Sequence, residues 1–220
     1  MNPIFVTGAA RSGTSLTMGL LTHMNPSLYT GKLCGPTSAN KKGQFENTEL
    51  RNTIVKPWLR ANGYDPMGQK PLPRIGEYKI PKSFRNDVLG VLKAQGWNGQ
   101  DRIIYKGAKI CLTPDIWDDA FPDAKFIIVR RPNKQIVNSC LRTNFMRKCK
   151  GAAGWERWLE QHIINFEHMM TCYDCKEIWT DKLVKGDKSE LLEICDWLGL
   201  KYSEKTASDF ISPALYTSKT

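Results

Sequence analysis

No stretch of this chain approaches the ~18 consecutive apolar residues that a membrane span requires, so no spanning helix is expected. A secretory leader is equally unsupported. The apolar start, Pro3-Ile4-Phe5-Val6-Thr7, is cut short by a loop of Gly, Ala, Arg and Ser. The seven cysteines include no second pair to join Cys172-x-x-Cys175 at zinc-finger spacing. An odd, scattered set reads as free and mostly buried thiols in a reducing compartment, which points to the cytoplasm. There is no internal repeat. Basic and aromatic residues do not interleave on one face, which argues against a basic nucleic-acid-binding module. Negative charge is scarce: 22 acidic residues against 32 basic ones give a net charge of +10. Such a balance suits acidic ligands such as nucleotides and sulfated or phosphorylated molecules.

The chain has 220 residues, of which 41% are hydrophobic and 25% charged. That composition suits one globular domain with a sizeable core. Its organising stretch is Gly8-Ala9-Ala10-Arg11-Ser12-Gly13-Thr14-Ser15. An apolar strand precedes it and Leu16-Thr17-Met18-Gly19-Leu20-Leu21 follows, so the order is strand, glycine turn, helix. Such a turn aims backbone N–H groups and a helix N-terminus at one point, which makes an anion site. Gly8, Gly13 and Ser15 match the phosphate-loop pattern G-x-x-x-x-G-K-[ST], with Thr14 where that pattern has lysine. The positive charge lies inside the loop, at Arg11. Without the lysine that reaches the β- and γ-phosphates, the loop suits a triphosphate poorly. It suits a donor with one 5′-phosphate and one further group.

Downstream, helices are predicted over Ser15–Met24, roughly 48–61 with Asn47 as its cap, Ser83–Gln95 with Gly96 as its stop, and Thr113–Ala120. Further helices are expected after Pro132, from Trp155 to Tyr173, and from an Asp187-x-x-Glu190 capping box to a stop at Gly199. His23 and His162 read as structural, the latter as a packed core-edge residue. Strands are predicted at Arg102–Lys106, Lys125–Val129 and Lys176–Thr180, the second of these central. Residues 25–47 read as a long irregular segment and 62–82 as a Gly- and Pro-rich surface excursion. The Ser/Thr/Lys tail is expected to fray. Strands alternating with helices indicate an α/β fold, three-layered α/β/α and of P-loop type, with a mainly parallel sheet in a single domain over 1–220. Ligands of such sheets sit beyond the carboxyl ends of the strands. Arg11, Lys106, Arg130 and Arg131 all fall at those ends.

These segments, taken together and in order, resemble the sulfotransferases that use 3′-phosphoadenosine 5′-phosphosulfate (PAPS). Gly8 to Leu16 looks like that family's loop for the 5′-phosphosulfate. Lys42-Gly43-Gln44-Phe45-Glu46-Asn47 looks like its substrate-side segment. Lys106 to Trp117, with Ala120 to Phe126, is similar to its middle block. Val129-Arg130-Arg131-Pro132 with Ser139 looks like its 3′-phosphate motif, and Leu192 to Leu200 resembles its C-terminal helix. The resemblance implies PAPS held by Arg11, Ser12, Gly13, Thr14 and Ser15, with Arg130 and Ser139 or Asn138 on the 3′-phosphate. It implies Arg11 and Lys106 at the phosphate oxygen that leaves. The acceptor would be a hydroxyl or amine of a small molecule or glycan, shaped by 25–47 and 62–82, and no metal is called for. Two departures stand out. The family's serine falls eight residues after its strand-end arginine, a place Asn138 takes relative to Arg130 and Ser139 relative to Arg131. The histidine that the cytosolic branch carries two residues after the lysine is here Ala108, so another base is needed, and Glu46 is the candidate. A P-loop kinase or NTPase would instead show an acidic Mg²⁺ ligand at a strand end, where this chain has Arg130-Arg131. Nothing in the sequence names the acceptor or the oligomeric state.

Overall fold

A computed structural model of the protein describes residues 2–37 and 41–215; Ser38–Asn40 of the irregular segment and the tail from Tyr216 lie outside them. Four apolar runs form a fully parallel sheet in the order β2-β1-β3-β4, with β1 at Ile4–Thr7, β2 at Ile104–Lys106, β3 at Lys125–Arg130 and β4 at Cys175–Trp179. Around it lie α1 (Thr14–Met24), α2 (Lys56–Ala61), α3 (Phe84–Ala94), α4 (Pro114–Ala120), α5 (Asn133–Leu141), α6 (Gly151–Cys172), α7 (Thr180–Val184), α8 (Ser189–Leu198) and α9 (Glu204–Phe210). The sheet is all-parallel and flanked by helices, as expected of a P-loop-type α/β fold.

Period-two alternation explains the layers. Phe5, Phe126 and Ile128 point to one face and meet Trp117, Trp155 and Phe166 from α4 and α6. Ile4, Val6, Ile127 and Val129 point to the other and meet Leu20, Leu21, Leu191 and Ile194 from α1 and α8. With both faces covered, the central strands β1 and β3 are uniformly apolar, as buried parallel strands must be. The chain leaves β1 for α1 on one face and leaves β3 for α5 and α6 on the other. The carboxyl ends of β1 and β3 therefore flank a topological switch point, where such sheets open a crevice.

Several local expectations hold. Asn47 Oδ1 accepts from the Leu50 N–H at 3.2 Å and caps the helix that follows. Gly199 ends α8 in the left-handed region, at φ +66°. Others change. The helix after Asn47 is π-helical over Leu50–Val55 before it becomes α2. Ser83 makes no side-chain cap on α3. The capping box at α8 does not close: Asp187 Oδ1 binds Ser189, while the Glu190 carboxylate takes the Trp179 N–H and Lys182. Glu190 thus joins α8 to the end of β4. Residues 62–82 contain no regular element, yet they are not simply a surface excursion. Asp65 and Gln69 are buried, and Gln69 donates to the Phe145 carbonyl and accepts from the Arg147 and Lys148 N–H groups. All seven cysteines are free, but only Cys111, Cys140 and Cys195 are fully buried.

The face beneath β1 is closed by Trp117. Its ring lies edge-on to Phe5 and Phe84, each at 4.9 Å, and stacks on Tyr105 at 5.3 Å. Removing so large a buried ring leaves a cavity that rigid neighbours cannot collapse into. Trp117→Ala is expected to lose about 3–5 kcal/mol of stability, measured from the denaturant midpoint.

Candidate active site

The carboxyl ends of the strands open into a cleft of about 570 Å³. Its first wall is the turn after β1. Gly8 has φ +153°, and a Cβ there would stand 2.5 Å from the Val129 carbonyl oxygen, so only glycine lets the chain cross β3. Gly13, at φ +105°, then starts α1 with no side chain capping it. The first-turn N–H groups of a helix have no partner within the helix, and here Gly13, Thr14 and Ser15 line the cleft. The resulting field attracts anions. Arg11 takes a left-handed φ of +74°, a conformation that costs a non-glycine residue about 1–2 kcal/mol. Two bonds hold it: its Nε donates to Ser139 Oγ at 3.0 Å, and Arg131 Nη1 donates to its carbonyl at 3.2 Å. Thr180, the first residue of α7, donates to the Ser12 carbonyl at 2.7 Å and, in a shared bond, to that of Arg130 at 3.1 Å, tying the loop to β3.

The second wall follows β2. Thr7 Oγ1 donates to the Gly107 carbonyl and accepts from the Cys111 N–H, which fixes the turn carrying Lys106 and Lys109. Lys106 is buried, and its Nζ stands 3.7 Å from Glu46 Oε2. Burial pulls the Lys106 ammonium below the ordinary lysine value, and Glu46 offsets part of that. The same carboxylate oxygen accepts from Arg51 Nη1 at 3.1 Å. Burial works to raise the Glu46 carboxyl, but Lys106, Lys109 and Arg51 together outweigh it and hold the group below the usual carboxylate range. Glu46 therefore stays ionised at neutral pH. It is aimed by Phe45, another left-handed residue at φ +50°, whose ring packs against His23 at 5.8 Å and Phe210 at 5.9 Å. Ser15 Oγ donates to the Gln44 carbonyl at 3.0 Å and joins this segment to α1.

The far side is less polar, bounded by Met67, Gly68, Phe145, Met146, Trp158 and His162. His162 Nδ1 lies 2.9 Å from the Trp158 carbonyl, so it carries the hydrogen. Burial pushes this imidazole down to about 4, leaving it neutral with Nε2 unprotonated.

Of the residues singled out in the sequence, Arg11, Gly13, Thr14, Ser15, Glu46 and Lys106 come together around the cleft. Ser12 lies buried beneath the loop, its hydroxyl without a partner among the described residues. Ser139 reaches the site through Arg11. Arg130 and Asn138 are not among the lining residues. Arg130 pairs with Glu177, and its guanidinium lies over the rings of Phe166 at 5.1 Å and Trp179 at 5.2 Å. Arg131 borders the cleft in its place. Arg51, Lys56 and Lys109 escaped the sequence reading because nothing in their spacing marks them. Asn47 capping the following helix is the one local signal that Arg51 returns toward Glu46. His162 is packed as expected, but its ring also borders the cleft. Among the described residues, no group of His, Cys, Asp and Glu could hold a metal ion, and no helix is long and apolar enough to cross a membrane.

An uncapped helix start after a phosphate-loop turn, facing cations at the ends of parallel strands, defines an α/β protein of P-loop type with a cleft suited to an anion. The chain belongs to the sulfotransferase family, whose model matches residues 3–204. Its fold is similar to the sulfotransferase domain of the Synechococcus PCC 7002 olefin synthase, with a TM-score of 0.59, 19% identity, and coverage of 100% of this chain and 89% of that one. It is also similar to the sulfotransferase domain from the curacin biosynthetic pathway (TM-score 0.59, 15% identity, 93% and 76% covered). A third likeness is to mouse sulfotransferase SULT7A1 complexed with PAP (TM-score 0.50, 12% identity, 100% and 67% covered). No curated protein matches the chain in sequence.

Proposed function

We propose that this protein moves a sulfuryl group from PAPS to a hydroxyl or amine of a small-molecule or glycan acceptor. The observation that carries this reading is the pairing of Lys106 and Glu46, 3.7 Å apart, opposite the uncapped start of α1. A cation suited to a leaving phosphate oxygen thus stands beside a carboxylate suited to take a proton. PAP, the bisphosphate that remains when PAPS gives up its sulfuryl group, is what the mouse structure holds.

In this reading the N–H groups of Gly13, Thr14 and Ser15, with Arg11, hold the 5′-phosphosulfate. Arg131, reaching Ser139 through Arg11, takes the 3′-phosphate, which restores the eight-residue arginine-to-serine spacing. The acceptor oxygen bonds to sulfur as the bond from sulfur to the 5′-phosphate oxygen breaks in line. Lys106 and Arg11 neutralise the charge that develops on that oxygen, an interaction strongest in the transition state. Glu46 removes the acceptor's proton, kept ionised for the task by Arg51 and Lys106. Cys34, Gln44 and Glu46 from 25–47, with Met67 and Gly68 from 62–82, line the cleft, which supports a share for both insertions in shaping the acceptor pocket.

The reading is tested by thermal shift with adenosine 3′,5′-bisphosphate against ATP-Mg²⁺, ADP and AMP. At about 100 times its dissociation constant a ligand adds about 2.7 kcal/mol. Stabilisation by the bisphosphate and not by ATP-Mg²⁺ is expected. The reverse order would replace this reading with a kinase-like one.

A further inference from the structure

The cleft carries more positive charge than a donor accounts for. Among the described residues, Arg11, Arg51, Lys56, Lys106, Lys109 and Arg131 line it against a single carboxylate, Glu46. The donor reading above occupies Arg11, Lys106 and Arg131. Arg51 is engaged with Glu46 at 3.1 Å. Lys56 at the start of α2 and Lys109 after β2 remain, both half-buried, and among the described residues neither ammonium group has a hydrogen bond or an ion pair. They come from different elements, yet both lie within electrostatic reach of Glu46 and of each other.

Two partly buried ammonium groups that share one carboxylate, Glu46, with Arg51 and Lys106 are costly to keep, unless a ligand supplies further negative charge. We infer that the acceptor carries an anionic group of its own, a phosphate or a carboxylate distinct from the oxygen that receives the sulfuryl group, and that Lys56 and Lys109 bind it. This rests on the sulfotransferase reading and narrows its acceptor to negatively charged hydroxyl or amine compounds. The distribution of charge fits: Glu46 would repel such an anion from the proton-transfer position, while the two lysines draw it to the side. The acceptor is thereby oriented with its neutral nucleophile, not its charged end, at Glu46. Burial, helped by the neighbouring cations Lys56, Arg51 and Lys106, pushes Lys109 down to about 8 despite the opposing pull of Glu46, as expected of a site short of one anion.

The test uses the full chain saturated with adenosine 3′,5′-bisphosphate and titrated calorimetrically with inorganic phosphate and, separately, with acetate. The saturated protein is expected to bind one of the two, phosphate marking a phosphorylated acceptor and acetate a carboxylate. In Lys56→Gln/Lys109→Gln that second binding is expected to weaken by at least about tenfold, or about 1.4 kcal/mol, with bisphosphate affinity changed less than about twofold. The unaltered protein gives an independent reading. Its affinity for the second anion is expected to fall as pH rises from about 7 to about 9.5, although acetate keeps its charge and phosphate gains some over that range. The inference is overturned if the saturated protein binds neither anion, if the double variant binds them as before, or if it loses the bisphosphate in step. No bisphosphate binding by the unaltered protein is a separate result; it defeats the donor reading and this inference with it.

Discussion

Replacing Glu46 by glutamine is expected to slow sulfuryl transfer by about 10²–10⁴-fold, the range a positioned general base contributes. The change keeps the side chain's shape and an oxygen for Arg51, so the fold and the affinity for adenosine 3′,5′-bisphosphate are expected to persist. The loss should appear in kcat on whichever acceptor the unaltered protein turns over. The pH profile makes the same claim without a substitution. A base works only when deprotonated, and Lys106, Lys109 and Arg51 overcome the effect of burial to hold this carboxyl below its usual range. Activity is therefore expected to survive acidification into the ordinary carboxylate range and to fall only below it. A Glu46→Gln protein with undiminished kcat would move the base elsewhere, and His162, neutral and on the cleft's far side, would be next to test.

The second large effect separates two adjacent arginines. Arg131→Ala is expected to weaken adenosine 3′,5′-bisphosphate by about 10–100-fold, since one hydrogen bond to a charged group contributes about 1.5–3 kcal/mol. It also releases the Arg11 carbonyl, which Arg131 holds at 3.2 Å. Arg130→Ala should act on stability instead. Its ion pair with Glu177 and its contacts with Phe166 and Trp179 join β3, β4 and α6. Their loss is expected to cost about 1–2 kcal/mol with bisphosphate affinity nearly unchanged. Calorimetry and a denaturant midpoint on both variants check the pair. The opposite pattern would return the 3′-phosphate to Arg130.

That contrast shows how far the sequence could be read. The strands, the phosphate-loop turn, the Asn47 cap and the Gly199 stop depend on neighbours a few residues away, and all were legible. Which of two consecutive arginines faces the cleft depends on strand parity. β3 runs one residue past Val129, so Arg130 shares its face with Phe126 and Ile128 and lands on Phe166. Counting in twos from Phe126 would have indicated this. Asp187-x-x-Glu190 failed for a different reason: the end of β4 offered Glu190 a backbone N–H and α7 offered it Lys182, and tertiary partners displaced the local one. Arg51, Lys56 and Lys109 belong to separate elements, and only the folded chain brings them to Glu46.

The most direct measurement is a crystal structure of the protein grown with adenosine 3′,5′-bisphosphate. The 5′-phosphate is expected on the N–H groups of Gly13, Thr14 and Ser15, with the 3′-phosphate on Arg131 and Ser139 and Lys106 facing the open phosphate oxygen. A bisphosphate bound away from the start of α1, or oriented with its 3′-phosphate over Lys106, would contradict the assignment of this cleft to PAPS.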